Sequence, residues 1–192
     1  MKVPILTTAR LTLRAPAESD LAAMTAFGAS PRSVFVGGPY TNRDAWRMLL
    51  AGIGHWALRG YGYWSVDRTA DGAFVGRVGV IFRADTPEAE LDWYLFDGFE
   101  GHGYAYEAAV AARDYAAQHF GLGPLISYID AENTRSAAMA VRLGARHERV
   151  MYEDGKPYDA YRHPEIVTSG AAATSGPAAA NPRPVPHPRG LP

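Results

Sequence analysis

The chain has 192 residues, of which 47% are hydrophobic and 20% are charged, and its formal net charge is -1 at pH 7. This composition is typical of one main globular domain, and the balanced charge indicates neither a nucleic-acid partner nor a membrane surface. The chain has no cysteine, which excludes disulfides, a thiol nucleophile and cysteine-ligated metals. Its six histidines are scattered, so we expect chemistry without a metal.

The amino-terminal residues give no sign of export. Arg10 and Arg14 follow too soon for the apolar core of a signal peptide, and no long apolar run occurs later. We therefore expect a cytoplasmic protein.

The first half of the chain predicts one strand, two helices and then three strands in a meander. Leu11 and Leu13 alternate with polar residues, as in a strand with one buried face. Asp71 and Gly72 form a strong hairpin signal between two alternating segments. The predicted elements are a strand over 8–15, a helix from an N-cap at Ser19 to Gly28, an irregular segment over 30–40, a helix over 41–58, and strands over 62–67, 74–82 and 88–96.

The second half of the chain predicts two more helices and three more strands. The elements are a helix from Tyr104 to Gly121, a strand over 125–129, a helix from Asn133 to Gly144, and strands over 146–152 and 157–162 that turn at Asp154-Gly155. A helix connects the strands over 88–96 and 125–129, so these two should be parallel. The sheet is therefore predicted to be mixed and mostly antiparallel.

The composition changes abruptly after Pro164. Ala, Ser, Gly and Pro dominate residues 165–192, and such a segment cannot bury enough apolar surface to offset its loss of conformational entropy. We predict one domain over residues 1–164 and a flexible tail over residues 165–192.

A glycine-punctuated loop lies between the strand over 88–96 and the helix from Tyr104. Gly101 and Gly103 lack a Cβ atom, so the backbone there can approach a ligand closely and adopt positive φ angles. The following helix N-terminus adds a partial positive charge. The loop is therefore either a phosphate-binding loop or an ordinary tight turn.

A dinucleotide-binding fold is one setting for such a loop. That fold requires an early strand, a third spaced glycine and an acidic residue about twenty residues further on. Here alanine stands at positions 105 and 108, and a meander of antiparallel strands precedes the loop. The sequence therefore disfavours a dinucleotide-dependent oxidoreductase.

Six short segments carry a family resemblance. They are Thr8 to Arg14, Gly76 to Gly79, Glu90-Leu91, Gly101 to Ala108, Glu132 to Ser136 and Leu143 to Ala145. With the order of the elements, they make about residues 8–163 similar to the GCN5-related N-acetyltransferase (GNAT) superfamily, most of all to its branch of ribosomal-protein alanine N-acetyltransferases. The resemblance implies an α+β GNAT fold, whose central sheet splays open between its fourth and fifth predicted strands and is flanked by about four helices.

The resemblance implies acetyl-CoA as the cosubstrate, with its pyrophosphate on the loop and its pantetheine along the strand before it. The residues implied in binding are Trp93, Tyr94, Leu95, Glu100, Gly101, His102, Gly103, Tyr104, Ala105 and Asn133. Glu100 departs from the family, which favours Gln, Arg or Trp there, and its carboxylate should repel a pyrophosphate unless it turns into solvent. His102 is either a phosphate contact or a solvated loop histidine, and Asn133 is also a candidate N-cap.

Acetyl transfer to an amine requires a base for the ammonium proton and a donor to the departing thiolate. The resemblance makes Glu90 the candidate base; Asp92, on the same face of the strand, is the alternative, and either carboxylate could instead be solvated or ion-paired. Ser136 matches the serine that reaches the CoA sulfur in the family, although it is also the capping-box position of its helix. Ala140 stands where many family members have a tyrosine.

The predicted function is transfer of an acetyl group from acetyl-CoA to a primary amine, either a protein N-terminus or a small amine metabolite. The acceptor would enter between the segment over 30–40 and the strands opposite. Five aromatic residues there form either an apolar wall or core packing: Tyr40, Trp56, Tyr63, Trp64 and Trp93. The alternative function is a non-catalytic acyl-CoA-binding or regulatory module of the same fold. A homodimer is left open.

Overall fold

The strands of the chain form one mixed sheet. They are β1 (Leu6–Thr7), β2 (Leu11–Arg14), β3 (Tyr63–Arg68), β4 (Phe74–Ile81), β5 (Glu90–Leu95), β6 (Ile126–Asp130), β7 (Arg146–Glu153) and β8 (Lys156–Arg162). In this computed structural model, which describes residues 2–83, 86, 88–153 and 155–166, their order is β1-β2-β3-β4-β5-β6-β8-β7. Neighbouring strands are antiparallel except β5 and β6, which are parallel. The predicted sheet is confirmed.

The described ranges contain four α-helices. They are α1 (Leu21–Gly28), α2 (Asn42–Arg59), α3 (Tyr104–Tyr115) and α4 (Thr134–Arg142). Local sequence sets their ends: Thr41 caps α2 by accepting a hydrogen bond from the amide of Asp44, and Gly60 ends that helix in the left-handed conformation. A π-helical turn over Ala116–Phe120 continues α3 to Gly121, which confirms the predicted end of this helix.

The two faces of the sheet carry different helices. Ala108 of α3 packs in one core cluster with Trp93 of β5, and the small alanine side chains let the helix approach the sheet closely. On the other face, Phe27 of α1 and Leu49 of α2 pack with Tyr94. Because side chains alternate along a strand, β5 presents Trp93 to α3 and Tyr94 to α1 and α2.

The sheet opens between β5 and β6. These strands match in register at one pair, Glu90 with Ile126, and each continues past that pair without further pairing to the other. At the point of divergence, the hydroxyl of Ser127 donates a hydrogen bond to the carbonyl oxygen of Leu91. This is the predicted splay, and its strands are the fifth and sixth rather than the fourth and fifth because the two-residue strand β1 was not predicted.

The entry to α1 differs from the predicted N-cap at Ser19. A 3-10 turn over Glu18–Asp20 precedes the helix. The Asp20 carboxylate accepts hydrogen bonds from the amide of Ala17 at 2.9 Å and from Arg14 at 2.7 Å. A tertiary contact with β2 therefore fixes this helix start, and the Ser19 prediction is wrong.

The segment over 30–40 is more regular than predicted. Pro31–Val36 form a 3-10 helix, and the side chain of Ser30 caps it by accepting a hydrogen bond from the amide of Arg32 at 3.3 Å. This short helix faces the splay and contributes to the walls described below.

Two predictions fall on residues that are not described. The flexible tail over 165–192 lies outside the described residues except for 165 and 166, and Asp154 of the predicted turn is also outside them. The boundary at residue 164 stays a prediction. In the ranges that the structure describes, no helix combines the length and the apolar character needed to cross a bilayer.

Candidate active site at the splay

Two cavities meet at the opening between β5 and β6. The first, called the loop groove, has a volume of about 1120 Å³ and runs along the start of α3. The second, called the sheet cleft, has a volume of about 780 Å³ and lies between the 3-10 helix over 31–36, α2 and the strands. The residues that line both cavities are Phe35, Val36, Trp93, Tyr94, Asn133 and Ser136. A ligand in either cavity would therefore reach the same wall.

The loop before α3 has the backbone conformation that its glycines favour. Gly98, Gly101 and Gly103 have φ angles of 87°, 79° and 79°, a left-handed conformation that costs other residues energy. Gly103 is the N-cap of α3, so the first amides of the helix face the groove end of the loop. This arrangement can bind an anion such as a phosphate.

Nine of the ten residues predicted to bind the cofactor line the loop groove. They are Trp93, Tyr94, Leu95, Glu100, Gly101, Gly103, Tyr104, Ala105 and Asn133. The tenth, His102, is exposed and does not line either cavity. Its ring stacks on Tyr104 with 5.5 Å between the ring centroids, and its contact with a phosphate stays a prediction.

Arg10 fixes the loop from outside, a role that the sequence did not predict. Its Nη1 donates a hydrogen bond to the carbonyl oxygen of His102 at 2.9 Å, and its Nη2 forms an ion pair with Glu107 at 2.7 Å. Burial opposes ionisation of Glu107, but hydrogen bonds from Thr8 and Arg10 hold the pKa of its carboxyl below the ordinary value. These contacts tie the first turn of α3 to the segment before β2.

Glu100, the expected obstacle to pyrophosphate binding, has a cationic partner. Nη1 of Arg32 lies 2.8 Å from the Glu100 carboxylate and 2.8 Å from that of Asp97. The hydrogen bond from Arg32 lowers the pKa of Asp97. Arg32 and Glu100 both line the loop groove, so the carboxylate is paired rather than turned away into solvent.

Asn133 and Ser136 stand together on the first turn of α4. The side-chain oxygen of Asn133 accepts a hydrogen bond from the amide of Ser136 at 3.2 Å, so Asn133 is the N-cap, as predicted. The Asn133 amide donates to the carbonyl oxygen of Asp130, not to the Ser136 side chain. Ser136 therefore does not complete a capping box, and it lies on the wall that both cavities share.

Glu90 and Asp92 line the sheet cleft from the same face of β5. Glu90 is 2% exposed, and its carboxylate accepts a hydrogen bond from the amide of Tyr128 at 3.4 Å. Arg83 lies between the two carboxylates, 3.6 Å from Glu90 and 3.5 Å from Asp92. Both candidate bases are thus held by donors beside a cavity.

Tyr63 donates a short hydrogen bond to the Asp92 carboxylate. Burial, and then the negative charge of Asp92, raise the pKa of the Tyr63 hydroxyl well above its ordinary value. Tyr63 therefore stays protonated and keeps Asp92 in place.

The five aromatic residues expected near the acceptor separate into two groups. Tyr63 and Trp93 line the sheet cleft. Trp56 and Trp64 are core residues whose rings pack edge to face at 4.9 Å, and Tyr40 lines neither cavity.

Comparison with known families agrees with this geometry. A family model described as an acetyltransferase (GNAT) domain matches residues 10–146. The chain belongs to the GNAT family. Its domain is that of an acetyl-CoA-dependent acetyltransferase, and the fold expected from the resemblance is confirmed.

Solved structures share the GNAT fold over nearly their whole length. An acetyltransferase from Agrobacterium tumefaciens is 39% identical, with 85% of this chain and 96% of that chain covered and a TM-score of 0.79. The ribosomal L7/L12 alpha-N-protein acetyltransferase RimL, solved in complex with coenzyme A, is 18% identical, with 83% and 96% covered and a TM-score of 0.65. The uncharacterised Bacillus subtilis protein YkkB is 28% identical over 107 residues, 54% of this chain and 62% of that protein. This chain thus matches less than two thirds of YkkB.

Proposed function

We propose that this GNAT protein transfers the acetyl group of acetyl-CoA to a primary amine, either a protein N-terminus or a small amine metabolite, by direct attack on the thioester. One observation carries the proposal. The loop groove and the sheet cleft meet at a wall that includes Trp93, Tyr94, Asn133 and Ser136. A donor in the groove and an acceptor in the cleft would therefore come together there, which is what a direct transfer requires.

The loop groove suits acetyl-CoA. The amides at Gly101, Gly103 and the start of α3 would hold the pyrophosphate, and the edge of β5 that the splay leaves unpaired, from Trp93 to Leu95, would run beside the pantetheine. When bound, acetyl-CoA supplies the thioester whose carbonyl carbon the amine attacks. Backbone donors and a helix N-terminus require no reorganisation to bind the anion.

The carboxylates of β5 would accept the amine proton. Glu90 is our first candidate, because it is almost completely buried in the wall of the cleft, and Asp92 is the alternative. The carboxylate would take one proton from the ammonium form of the acceptor, the neutral nitrogen then forms a bond to the acetyl carbon, and the carbon–sulfur bond breaks. Ser136, which lines both cavities, would donate its hydroxyl proton to the leaving thiolate and regain a proton from the nitrogen of the new amide through water.

An assay of CoA release with a panel of acceptors tests this proposal. The panel contains N-terminal peptides, amino acids, polyamines and aminoglycosides, each measured against a reaction without acceptor. We expect at least one primary amine to accelerate CoA release. If acetyl-CoA binds but no amine accelerates its breakdown, the non-catalytic acyl-CoA-binding module becomes the better interpretation.

Two substitutions distinguish the candidate bases. If Glu90 is the base, Glu90→Gln should lower kcat/KM by about a hundredfold and remove the acid limb of its pH profile. If Asp92 is the base, Asp92→Asn should have these two effects instead. Glu18→Gln, which changes an exposed carboxylate in the turn before α1, is the matched control and should leave both quantities unchanged.

A protein N-terminus as acceptor is supported by the structural likeness to RimL, an alpha-N-protein acetyltransferase. The cytoplasmic location stays a prediction.

A further inference from the structure

The sheet cleft contains a buried arginine that the proposed reaction does not use. Arg77 lies on β4 directly opposite Tyr94 of β5 and is 2% exposed. Its Nη1 donates to the Tyr94 hydroxyl at 3.4 Å, and its guanidinium lies 4.7 Å from the centre of the Tyr63 ring. Its Nε and Nη2 have no hydrogen-bond partner among the described residues.

No carboxylate in the described part of the chain pairs with this guanidinium. Asp20 is near enough to act on its charge, but the Asp20 carboxylate already accepts hydrogen bonds from Arg14 at 2.7 Å and from Ser65 at 2.6 Å. Asp92, further along the cleft, is held by Tyr63. Buried charges in proteins are normally paired, so Arg77 presents an uncompensated positive charge at the cleft.

Arg77 keeps that charge in the folded protein. Burial by itself would lower the pKa of the guanidinium, but Tyr94, Tyr63 and Asp20 raise it above the ordinary value. The neighbouring Tyr40 hydroxyl also has no hydrogen-bond partner among the described residues.

A glycine in the interior of α2 makes room for Arg77. A Cβ atom at Gly52 would overlap with Nη2 of Arg77, and Gly52 itself lines the sheet cleft. Glycine destabilises a helix interior relative to alanine. The space for the guanidinium therefore costs α2 some helix propensity. An arginine on the surface would not need a glycine beside it.

We infer that Arg77 is a subsite for a carboxylate carried by the amine acceptor. This inference rests on the proposed function and names the class of its substrate. Asp92 lies opposite Gly79, two residues from Arg77 on β4, which is roughly 7 Å along a strand. Asp92 and Glu90 share the cation Arg83, so these three side chains together keep one net negative charge at their end of the cleft, and Arg77 carries a positive charge at the other. This arrangement suits an acceptor with a carboxylate and an amine a short distance apart and disfavours polyamines.

Two kinds of acceptor carry this chemistry. One is a free amino acid, whose carboxylate is the α-carboxylate, and the other is a peptide whose N-terminal residue has an acidic side chain. The test therefore uses two matched pairs, an amino acid against its carboxamide and an N-terminal Asp peptide against the same peptide with Asn. Each pair differs by one negative charge at nearly constant shape.

We expect wild type to acetylate the acidic member of at least one pair with a kcat/KM at least about tenfold higher than the neutral member. Arg77→Met should abolish this preference without changing the KM for acetyl-CoA, and Arg77→Lys should restore part of it. Gly52→Ala, which displaces the guanidinium but keeps its charge, should weaken the preference. Arg77→Met removes a buried charge without an ionic partner but also the hydrogen bond to Tyr94, so we expect its melting temperature to stay close to that of wild type.

The outcomes separate this inference from the proposed function. If amines are acetylated but wild type does not prefer the acidic members, or if Arg77→Met keeps the preference, the carboxylate subsite is wrong and the acetyltransferase proposal stands. If no amine is acetylated, binding of the products tests the inference. An N-acetylated amino acid should then raise the melting temperature of CoA-loaded wild type more than its carboxamide does. The same two ligands should shift the melting temperature of Arg77→Met equally. Equal shifts for acid and amide would overturn the inference.

Discussion

Arg32 and Glu100 form an ion pair at the edge of the loop groove, with 2.8 Å between Nη1 and the carboxylate. Because Asp97 shares the same guanidinium, the three side chains together carry one net negative charge beside the expected pyrophosphate. Glu100→Gln removes that charge and leaves Arg32 paired with Asp97 alone. We expect acetyl-CoA to bind about threefold to tenfold more tightly at low ionic strength, measured by calorimetry.

S-acetylpantetheine, which lacks the pyrophosphate, provides the control for the Glu100→Gln prediction. Its affinity should be the same for wild type and variant, because the neutralised charge lies beside the loop and not along β5. The gain for acetyl-CoA should also shrink as salt is added. A gain that persists at high salt, or one shared by S-acetylpantetheine, would mean that Glu100 acts through the shape of the loop.

The second prediction concerns Gly103. A side chain there would meet only Nη2 of Arg10, at an ordinary 3.5 Å, so the cost of Gly103→Val comes from its φ angle of 79°, which a β-branched residue tolerates poorly. The loop should change conformation and the dissociation constant of acetyl-CoA should rise at least about tenfold. Gly121→Val is the matched control, because Gly121 has a φ of 64° and open space around it, but lies at the far end of the π-helical turn. If both variants lose acetyl-CoA binding equally, the loop has no special role.

The third prediction concerns Ser136. The amide of Ser136, and not its hydroxyl, makes the N-cap hydrogen bond with Asn133, so Ser136→Ala should leave the free energy of unfolding nearly unchanged. Loss of a proton donor should lower kcat about tenfold to a hundredfold, with little effect on the KM for acetyl-CoA. Ser136→Thr keeps a hydroxyl and should retain more activity, whereas Asn133→Ala should cost about 1 kcal/mol of stability. An unchanged kcat for Ser136→Ala, with chemistry rate-limiting, would remove Ser136 from the mechanism.

The sequence predicted what local patterns determine. The helix over 41–58, the glycines of the loop and the helix from Tyr104 each depend on residues close together in the sequence, and the structure agrees with all three. The helix from Asn133 was also predicted with its cap. As a result, the residues predicted to bind acetyl-CoA lie together along the loop groove, except His102.

The predictions failed where distant residues decide the structure. The local sequence did not indicate the roles of Arg32 and Arg77. Arg32 pairs with Glu100 and Arg77 lies beside Gly52, and both contacts depend on which distant segments the fold brings together. The prediction of Ser19 as a helix cap failed for the same reason: the start of α1 is fixed by the contact of Asp20 with the distant Arg14, which the local sequence does not show. An arginine in a strand is normally expected on the exposed face, so the burial of Arg77 could not be predicted from its sequence context.

The last prediction concerns His163, which supports the splay from within the protein. Since the Ser127 hydroxyl donates its proton to Leu91, it must accept a hydrogen bond from Nε2 of His163, at 2.9 Å. The Nδ1 atom is then the site of further protonation, and it is buried without a hydrogen-bond partner among the described residues. Burial, and then the charges of Arg113 and Arg162, lower the pKa of His163 to about 4.

This depressed pKa makes stability depend on pH. An exposed histidine has a pKa of about 6.5. Between pH 6.5 and about pH 4 the unfolded chain therefore binds a proton that the folded chain excludes, so the free energy of unfolding should fall as the pH falls. The full contribution is present above pH 6.5, and the loss by pH 4 is on the order of 3 kcal/mol. Urea denaturation of wild type and His163→Gln should give a stability difference that is constant above pH 6.5 and shrinks toward pH 4. Carboxylates titrate in both proteins, so their contribution cancels in the stability difference. A difference independent of pH would show that His163 is not held neutral in the fold.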